Sequence, residues 1–320
     1  MNDSSSAQSD EIALSVRVSR LHLKQRLGIE GDREARVFGQ GFNFFHIENW
    51  YSIHSLIRTI LRMFLLHGRG RRNALDVEIR RNDIRIQSLP PSFNGFTILH
   101  ISDLHLDMNE DIPRALIERI RDMEYDIVVL TGDFRAKTFG PYQPTVDAME
   151  RVRAHLNGSI YGVLGNHDSI RMVPSMEAMG IHMLLNESIV IERGGDRIFL
   201  AGIDDPHYYR ADNLEKACDN IPPEVVSILL AHTPEIYKHA SHADFNLMLC
   251  GHTHGGQICL PGRIPIISNA RCPRRLCAGA WRYNDLIGYT SVGSGVSIVD
   301  VRLNCPPEIT LHRLLSDSSA

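Results

Sequence analysis

Two imidazoles separated by a single residue stand in the stretch Leu249-Cys250-Gly251-His252-Thr253-His254-Gly255-Gly256-Gln257, with one glycine before the pair and two after it. Neutral imidazole is a good ligand for zinc, manganese and iron, so a turn this tight can offer two nitrogens to metal. Taken alone it would equally serve as a polar turn. Residue types of the same chemistry recur at four other places: Asp103-Leu104-His105, Gly132-Asp133, Gly165-Asn166-His167-Asp168 and His232. Singly, Asp103, Asp133 and Asn166 read as well as strand-end caps or turn residues, and His232 before Thr233-Pro234 as a helix cap. Five such groups in one chain favour a shared metal site.

Each group follows an apolar run that reads as a buried strand: Phe96–Ser102, Asp126–Thr131, Ile160–Leu164, Val225–Ala231 and Phe245–Cys250. In α/β sheets ligands collect beyond the carboxyl ends of strands, so all five can converge on one crevice. Further strand-like runs are Ile189–Glu192, Ile198–Gly202, Leu286–Thr290 and Glu308–His312. Helical patterns lie near 112–123, 143–155, 173–179, 212–220 and 234–239. Val77–Ile86 alternates on both sides of Asn82-Asp83, which predicts a β-hairpin there. The alternation of runs and helical patterns predicts an α/β domain whose sheets are covered by helices.

The bulk composition fits this reading. The chain has 320 residues, 43% hydrophobic and 22% charged, as in an ordinary globular protein with a sizeable core. A net charge of -4 excludes a strongly basic nucleic-acid binder. The six cysteines form no Cys-x-x-Cys pair; Cys272 and Cys277 could touch, but reduced thiols are the expectation. The N-terminal Met1-Asn-Asp-Ser-Ser-Ser carries an acid where a secretory leader carries basic residues, which argues against secretion.

Residues 1–10 are polar and serine-rich, and 11–40 fit either strand or helix. Over 42–66, Trp50, Ile53, Ile57, Ile60, Leu61, Phe64 and Leu65 recur at helical spacing, with aromatic residues at one end and arginines beyond the other. Charges interrupt the segment too often for it to span a bilayer, which needs about 20 mostly apolar residues. Two readings stay open: a helix lying in a membrane interface, or one packed on the core with a solvated basic end.

The pattern Asp-x-His, Gly-Asp, Asn-His-Asp, His, Gly-His-x-His resembles the calcineurin-like metallophosphoesterase superfamily from about residue 95 to 312. Gly255-Gly256-Gln257 and Pro306-Pro307-Glu308-Ile309-Thr310 resemble its bacterial membrane-associated phosphodiesterase branch, which includes UDP-2,3-diacylglucosamine hydrolases. The resemblance implies a four-layer β-sandwich flanked by helices, here carrying an amphipathic N-terminal extension (1–72) ahead of a catalytic domain (73–315). It implies two divalent cations, manganese ahead of iron or zinc. Asp103, His105 and His254 would hold one; Asn166, His232 and His252 the other; Asp133 would bridge them. Two cations about 3.5–4 Å apart suit in-line displacement at phosphorus. His167 would stabilise the transition state or protonate the leaving oxygen, with Asp168 orienting it.

The chain also departs from relatives of that superfamily. Gly132-Asp133-Phe134-Arg135-Ala136 lacks the Gly-Asp-x-x-Asp-Arg-Gly of the phosphoprotein phosphatases, which disfavours protein phosphatase activity. His167 stands where the commoner UDP-diacylglucosamine hydrolase type has arginine. Arg135, Arg263 and His207 are candidate substrate contacts. Arg263, Arg271, Arg274 and Arg275 offer a basic lid for a nucleotide or diphosphate, or else a solvated loop. The expected protein is a phosphohydrolase held peripherally on the cytoplasmic face of a membrane. It would cleave a phosphodiester or pyrophosphate in a lipid-linked substrate such as UDP-2,3-diacylglucosamine, in lipid A biosynthesis. A general phosphodiesterase acting on soluble nucleotides or cell-envelope phosphodiesters is the runner-up, and a non-catalytic scaffold the rival of another class.

Overall fold

A computed structural model describes residues 13–38, 51–266 and 270–316. The aromatic cluster expected at 42–50 and the serine-rich terminus lie outside the described residues. The chain opens with α1 (13–18) and α2 (Arg20–Phe38), so the ambiguous stretch 11–40 is helical where described. Next come α3 (Tyr51–Met63), α4 (His67–Leu75), β1 (Glu78–Ile86), β2 (Thr97–Ile101), α5 (Asp111–Ile120), β3 (Ile127–Leu130), α6 (Gln143–Arg153) and β4 (Ser159–Gly162). The middle of the chain holds α7 (Val173–Ala178), β5 (Ile181–Met183), β6 (Glu187–Arg193), β7 (Asp196–Gly202), α8 (Leu214–Cys218), β8 (Ser227–Leu230), α9 (Tyr237–His242) and β9 (Leu247–Cys250). It closes with β10 (Cys259–Leu260), β11 (Ile264–Pro265), β12 (Gly279–Tyr283), β13 (Leu286–Thr290) and β14 (Glu308–Ser316).

Two six-stranded sheets form the frame, ordered β1-β14-β2-β3-β4-β5 and β12-β13-β9-β8-β7-β6. Strands β2 to β5 run parallel, as do β7, β8, β9 and β13. Their site-bearing ends therefore point one way. These strands read as continuous apolar runs because both faces are covered. Ile98, Val129, Ile228, Leu230, Leu247 and Leu249 fill the core between the sheets. Leu99, Val128 and Leu130 face α5 to α7, and Leu229, Met248 and Cys250 face α8 and α9. The layers run helix, sheet, sheet, helix.

The hairpin expected at Asn82-Asp83 is absent. β1 continues through it and pairs in parallel with β14, Glu78 opposite Glu308 and Ile86 opposite Ser316. The polar pair sits on an edge strand, where Asp83 reaches Arg313 and Asn82 lies 3.1 Å from His312 Nδ1, so no turn is needed to accommodate it.

α3 buries Leu61 against Val299, Val301 and Leu303, a contact of roughly 1.5–3 kcal/mol. The same segment leaves Leu56, Ile60, Met63, Phe64 and Leu65 exposed. Among the described residues no helix is long and apolar enough to cross a membrane.

Candidate metal centre

β2, β3 and β4 of the first sheet, and β8 and β9 of the second, deliver their trailing residues to one buried cluster. Asp103, His105, Asp133, Asn166, His232, His252 and His254 are all buried in it. Five of them (Asp103, His105, Asp133, His252 and His254) have φ between 42° and 73°, the left-handed region that non-glycine residues avoid. Such backbones persist only where surrounding packing fixes them, and they concentrate at functional sites. Gly251 is required for the same closeness: a Cβ there would collide with Ser102 Oγ and Asp103 Oδ2.

The donor atoms form two groups joined by one carboxylate. On one side, His105 Nε2 lies 3.1 Å from His254 Nε2, and His254 Nε2 lies 3.5 Å from Asp103 Oδ1. On the other, His232 Nε2 lies 2.8 Å from Asn166 Oδ1 and 3.2 Å from His252 Nδ1. Asp133 Oδ2 stands between, 3.7 Å from His105 Nε2 and 3.3 Å from His232 Nε2. The ligand atoms of Asp103, His105 and His254, and those of Asp133, His232 and His252, each lie within 4.8 Å of one another.

This donor set fits cations. His105 Nδ1 faces Arg135 O and His232 Nδ1 faces Thr131 O, both at 2.8 Å, so each ring donates there and turns an Nε2 lone pair inward. With the ring neutral, the inward His232 nitrogen would meet the Asn166 and Asp133 oxygens acceptor against acceptor, so the position calls for a positive charge, either a proton on the ring or a cation. The protein's own charges tell the same story. Burial would push the His232 imidazole down, but Asp133, Asp103 and Asp205 outweigh it and raise it to about 10. Burial and the neighbouring Asp133 charge lift Asp103 to about 7. Burial opposes ionisation of Asp133 too, yet His232, His167 and His105 hold it well below the usual carboxylate range. Burial lowers His105 to about 4, leaving a neutral ligand-ready ring.

His167 borders this cluster, its Nε2 3.9 Å from Asp133 Oδ2 and its Nδ1 2.7 Å from Ala136 O. The Asp168 carboxylate, next along the chain, accepts backbone N–H groups of Asp133 (2.7 Å), Phe134 (2.9 Å), Arg135 (3.3 Å) and Gly165 (2.8 Å). The Ala136 carbonyl steers the His167 ring, while Asp168 ties the Asp133 loop to the Asn166 loop.

The three candidate substrate contacts part company. Arg135 is buried and braces the same loops, its Nε donating to His167 O and its Nη1 to Gly140 O at 3.1 Å. His207 packs 4.3 Å from the His252 ring, with its Nδ1 3.0 Å from Glu235. Arg263 is exposed, 3.9 Å from Glu78, and is not drawn into the cluster. Of the arginine-bearing stretch, 267–269 lies outside the described residues. The Cys272 and Cys277 sulfurs lie 3.7 Å apart, a hydrogen-bonding distance rather than a disulfide bond.

Two residues that the sequence reading missed complete the surroundings. Glu235 pairs with His207 and accepts from Arg271 N at 2.6 Å. Arg302 is fully buried, donates to Val292 O and Gly295 O at 2.7 Å, and lies 3.2 Å from His254 Nδ1. The loop it braces backs Asp103: Gly295 N donates to Asp103 O at 2.9 Å. Nothing in the local sequence marks Arg302: its carbonyl partners Val292 and Gly295 lie in the loop just before it, and its contact to His254 spans 48 residues.

Comparison with known proteins agrees with this geometry. Residues 96–256 match the calcineurin-like phosphoesterase family. The chain is 28% identical over 256 residues to the uncharacterized metallophosphoesterase YkoQ of Bacillus subtilis, covering 77% of this chain and 93% of that protein. It is 26% identical over 238 residues to the phosphodiesterase YaeI of Escherichia coli, covering 69% and 82% respectively. It is 30% identical over 250 residues to a Bos taurus transmembrane protein with a metallophosphoesterase domain, of which it spans 55% of the length while 71% of this chain is covered. The chain belongs to the calcineurin-like phosphoesterase family and is a metal-dependent phosphoester hydrolase.

Proposed function

We propose that the cluster holds two divalent cations, manganese foremost, and that the protein is a phosphodiesterase or pyrophosphohydrolase acting on a lipid-linked substrate. The single observation that carries the dinuclear reading is Asp133 Oδ2, which faces both donor groups at 3.7 and 3.3 Å. Asp103, His105 and His254 would hold one cation, Asn166, His232 and His252 the other, and Asp133 would serve both. When bound, the pair would acidify a water and neutralise phosphoryl charge. The chain's own residues do the rest. Asp133 is kept ionised by its imidazole neighbours, and His167 presents Nε2 at the rim of the cluster, where in its protonated form it gives a proton to the leaving oxygen.

The exposed apolar residues of α3 favour a lipid-linked substrate over a soluble nucleotide, since they suit contact with a membrane surface on the cytoplasmic side. UDP-2,3-diacylglucosamine is the first candidate, cleaved to a lipid monophosphate and UMP. We assign 73–315 as the catalytic domain and 1–72 as its extension. The test compares turnover of UDP-2,3-diacylglucosamine with that of bis(p-nitrophenyl) phosphate, manganese present. Preference for the lipid supports this reading. Turnover of the simple diester alone selects the general phosphodiesterase, and inactivity without bound metal selects the scaffold.

A further inference from the structure

α2 belongs to the stretch ahead of the catalytic domain, yet it reaches its far side. Leu23, Arg26 and Glu30 share one buried helical stripe. Arg26 is fully buried and divides its guanidinium among three partners. Its Nη2 donates to Asp168 O at 3.0 Å, its Nη1 to Glu30 Oε1 at 2.7 Å, and its Nε to Asp204 Oδ2 at 3.3 Å. Its face lies 3.3 Å from the Tyr209 ring centroid. Glu30 in turn accepts from Ser169 Oγ at 2.6 Å and Ile170 N at 2.8 Å. His22 adds a 3.0 Å contact to Asp204.

These partners lie on two loops of different origin. Asp168 to Ile170 continue the Asn166-His167 loop that follows β4 of the first sheet. Asp204 to Tyr209 follow β7 of the second sheet and carry His207; Asp205 fixes that loop by accepting from Tyr208 N at 2.7 Å and Tyr209 N at 2.6 Å. The donor groups are themselves divided between the two sheets. A planar fork buried between the two loops fixes their separation as a single ammonium would not.

We infer that Arg26 and Glu30 of the N-terminal helix are positioning residues that clamp the His167 loop to the His207 loop and so set the alignment of the two halves of the site. This rests on the phosphohydrolase reading above. Misplacement of reacting groups by about 1 Å costs about 10²-fold.

The test uses the full chain with manganese and bis(p-nitrophenyl) phosphate, alongside hydrogen exchange of the loop amides. Arg26→Ala should lower kcat about 10²-fold with KM within about twofold. Added guanidinium ion should restore much of it, and Arg26→Lys should not. Amides of 168–170 and 205–209 should lose protection in Arg26→Ala while those of β3 and β9 keep theirs. A folded Arg26→Ala with wild-type kcat and unchanged loop protection overturns the clamp. If that variant does not fold, Glu30→Gln replaces it, and unchanged exchange at Ile170 together with unchanged kcat has the same force. A wild-type protein that binds metal but cleaves neither bis(p-nitrophenyl) phosphate nor UDP-2,3-diacylglucosamine overturns the functional reading instead, and the exchange measurement still decides the clamp.

Discussion

Asp133 Oδ2 and His232 Nε2 approach to 3.3 Å although one residue trails a strand of the first sheet and the other a strand of the second. The contact exists only because the two sheets pack face to face with their site-bearing ends aligned. It also explains why an imidazole buried in a protein core is drawn up to about 10: burial works against the charge, and Asp133 overcomes it. Asp133 and His232 are among the residues that would hold a cation here, and its charge would serve in place of that proton.

Asp133→Asn keeps the shape and removes the charge that both donor groups share. Metal content measured by inductively coupled plasma mass spectrometry should fall from about two ions per chain to one or fewer, with turnover lost. Two retained ions would mean that Asp133 does not bridge.

His167 lies at the edge of the cluster rather than between its donors. His167→Ala should leave metal content intact and lower kcat about 10²–10⁴-fold, the usual span for a lost proton donor. Steady-state kinetics with metal analysis on the same preparation checks this, and an unaltered kcat removes His167 from the chemistry.

Gly251→Ala would drive a methyl group into Ser102 Oγ and Asp103 Oδ2. Overpacking of this kind costs about 1–3 kcal/mol, so the urea midpoint should drop, and metal affinity should weaken with it. An alanine variant matching wild type on both counts would show that the turn has slack.

Stability should decline as pH falls below neutrality. His100, pushed down to about 3 by burial, and His312, held well below its ordinary value by burial and then by His100, are neutral in the folded protein. Unfolded, each takes up a proton near pH 6.5, so the unfolded state binds more protons as pH falls from about 6.5 towards 3. The stability these rings contribute is therefore full above about 6.5 and lost below it. Urea midpoints between pH 7.5 and 4.5 should fall more steeply for wild type than for His312→Gln; parallel profiles would contradict the assignment.

Membrane contact through α3 and the turn after it predicts that replacing exposed Met63, Phe64 and Leu65 by serine reduces sedimentation with anionic vesicles while turnover of bis(p-nitrophenyl) phosphate is kept. Equal sedimentation would leave the helix as a packing element, held through Leu61.

The residue order by itself determined the strands, because β2, β3, β8 and β9 are buried on both faces and so read as unbroken apolar runs ending in ligand types. It also determined the family pattern, since each ligand group follows its strand within a few residues. What it could not determine is every relationship that crosses between distant segments. The edge pairing of β1 with β14 replaced an expected hairpin because strand partners are chosen by tertiary contact, and an alternating pattern looks the same either way. That Asp168 ties two loops together was also hidden, because the backbone N–H groups around its carboxylate are invisible in residue types. Arg26, Glu30, Glu235 and Arg302 acquire their meaning only when helices and loops far apart in the chain are packed against the site, where burial makes each of their charges find a partner.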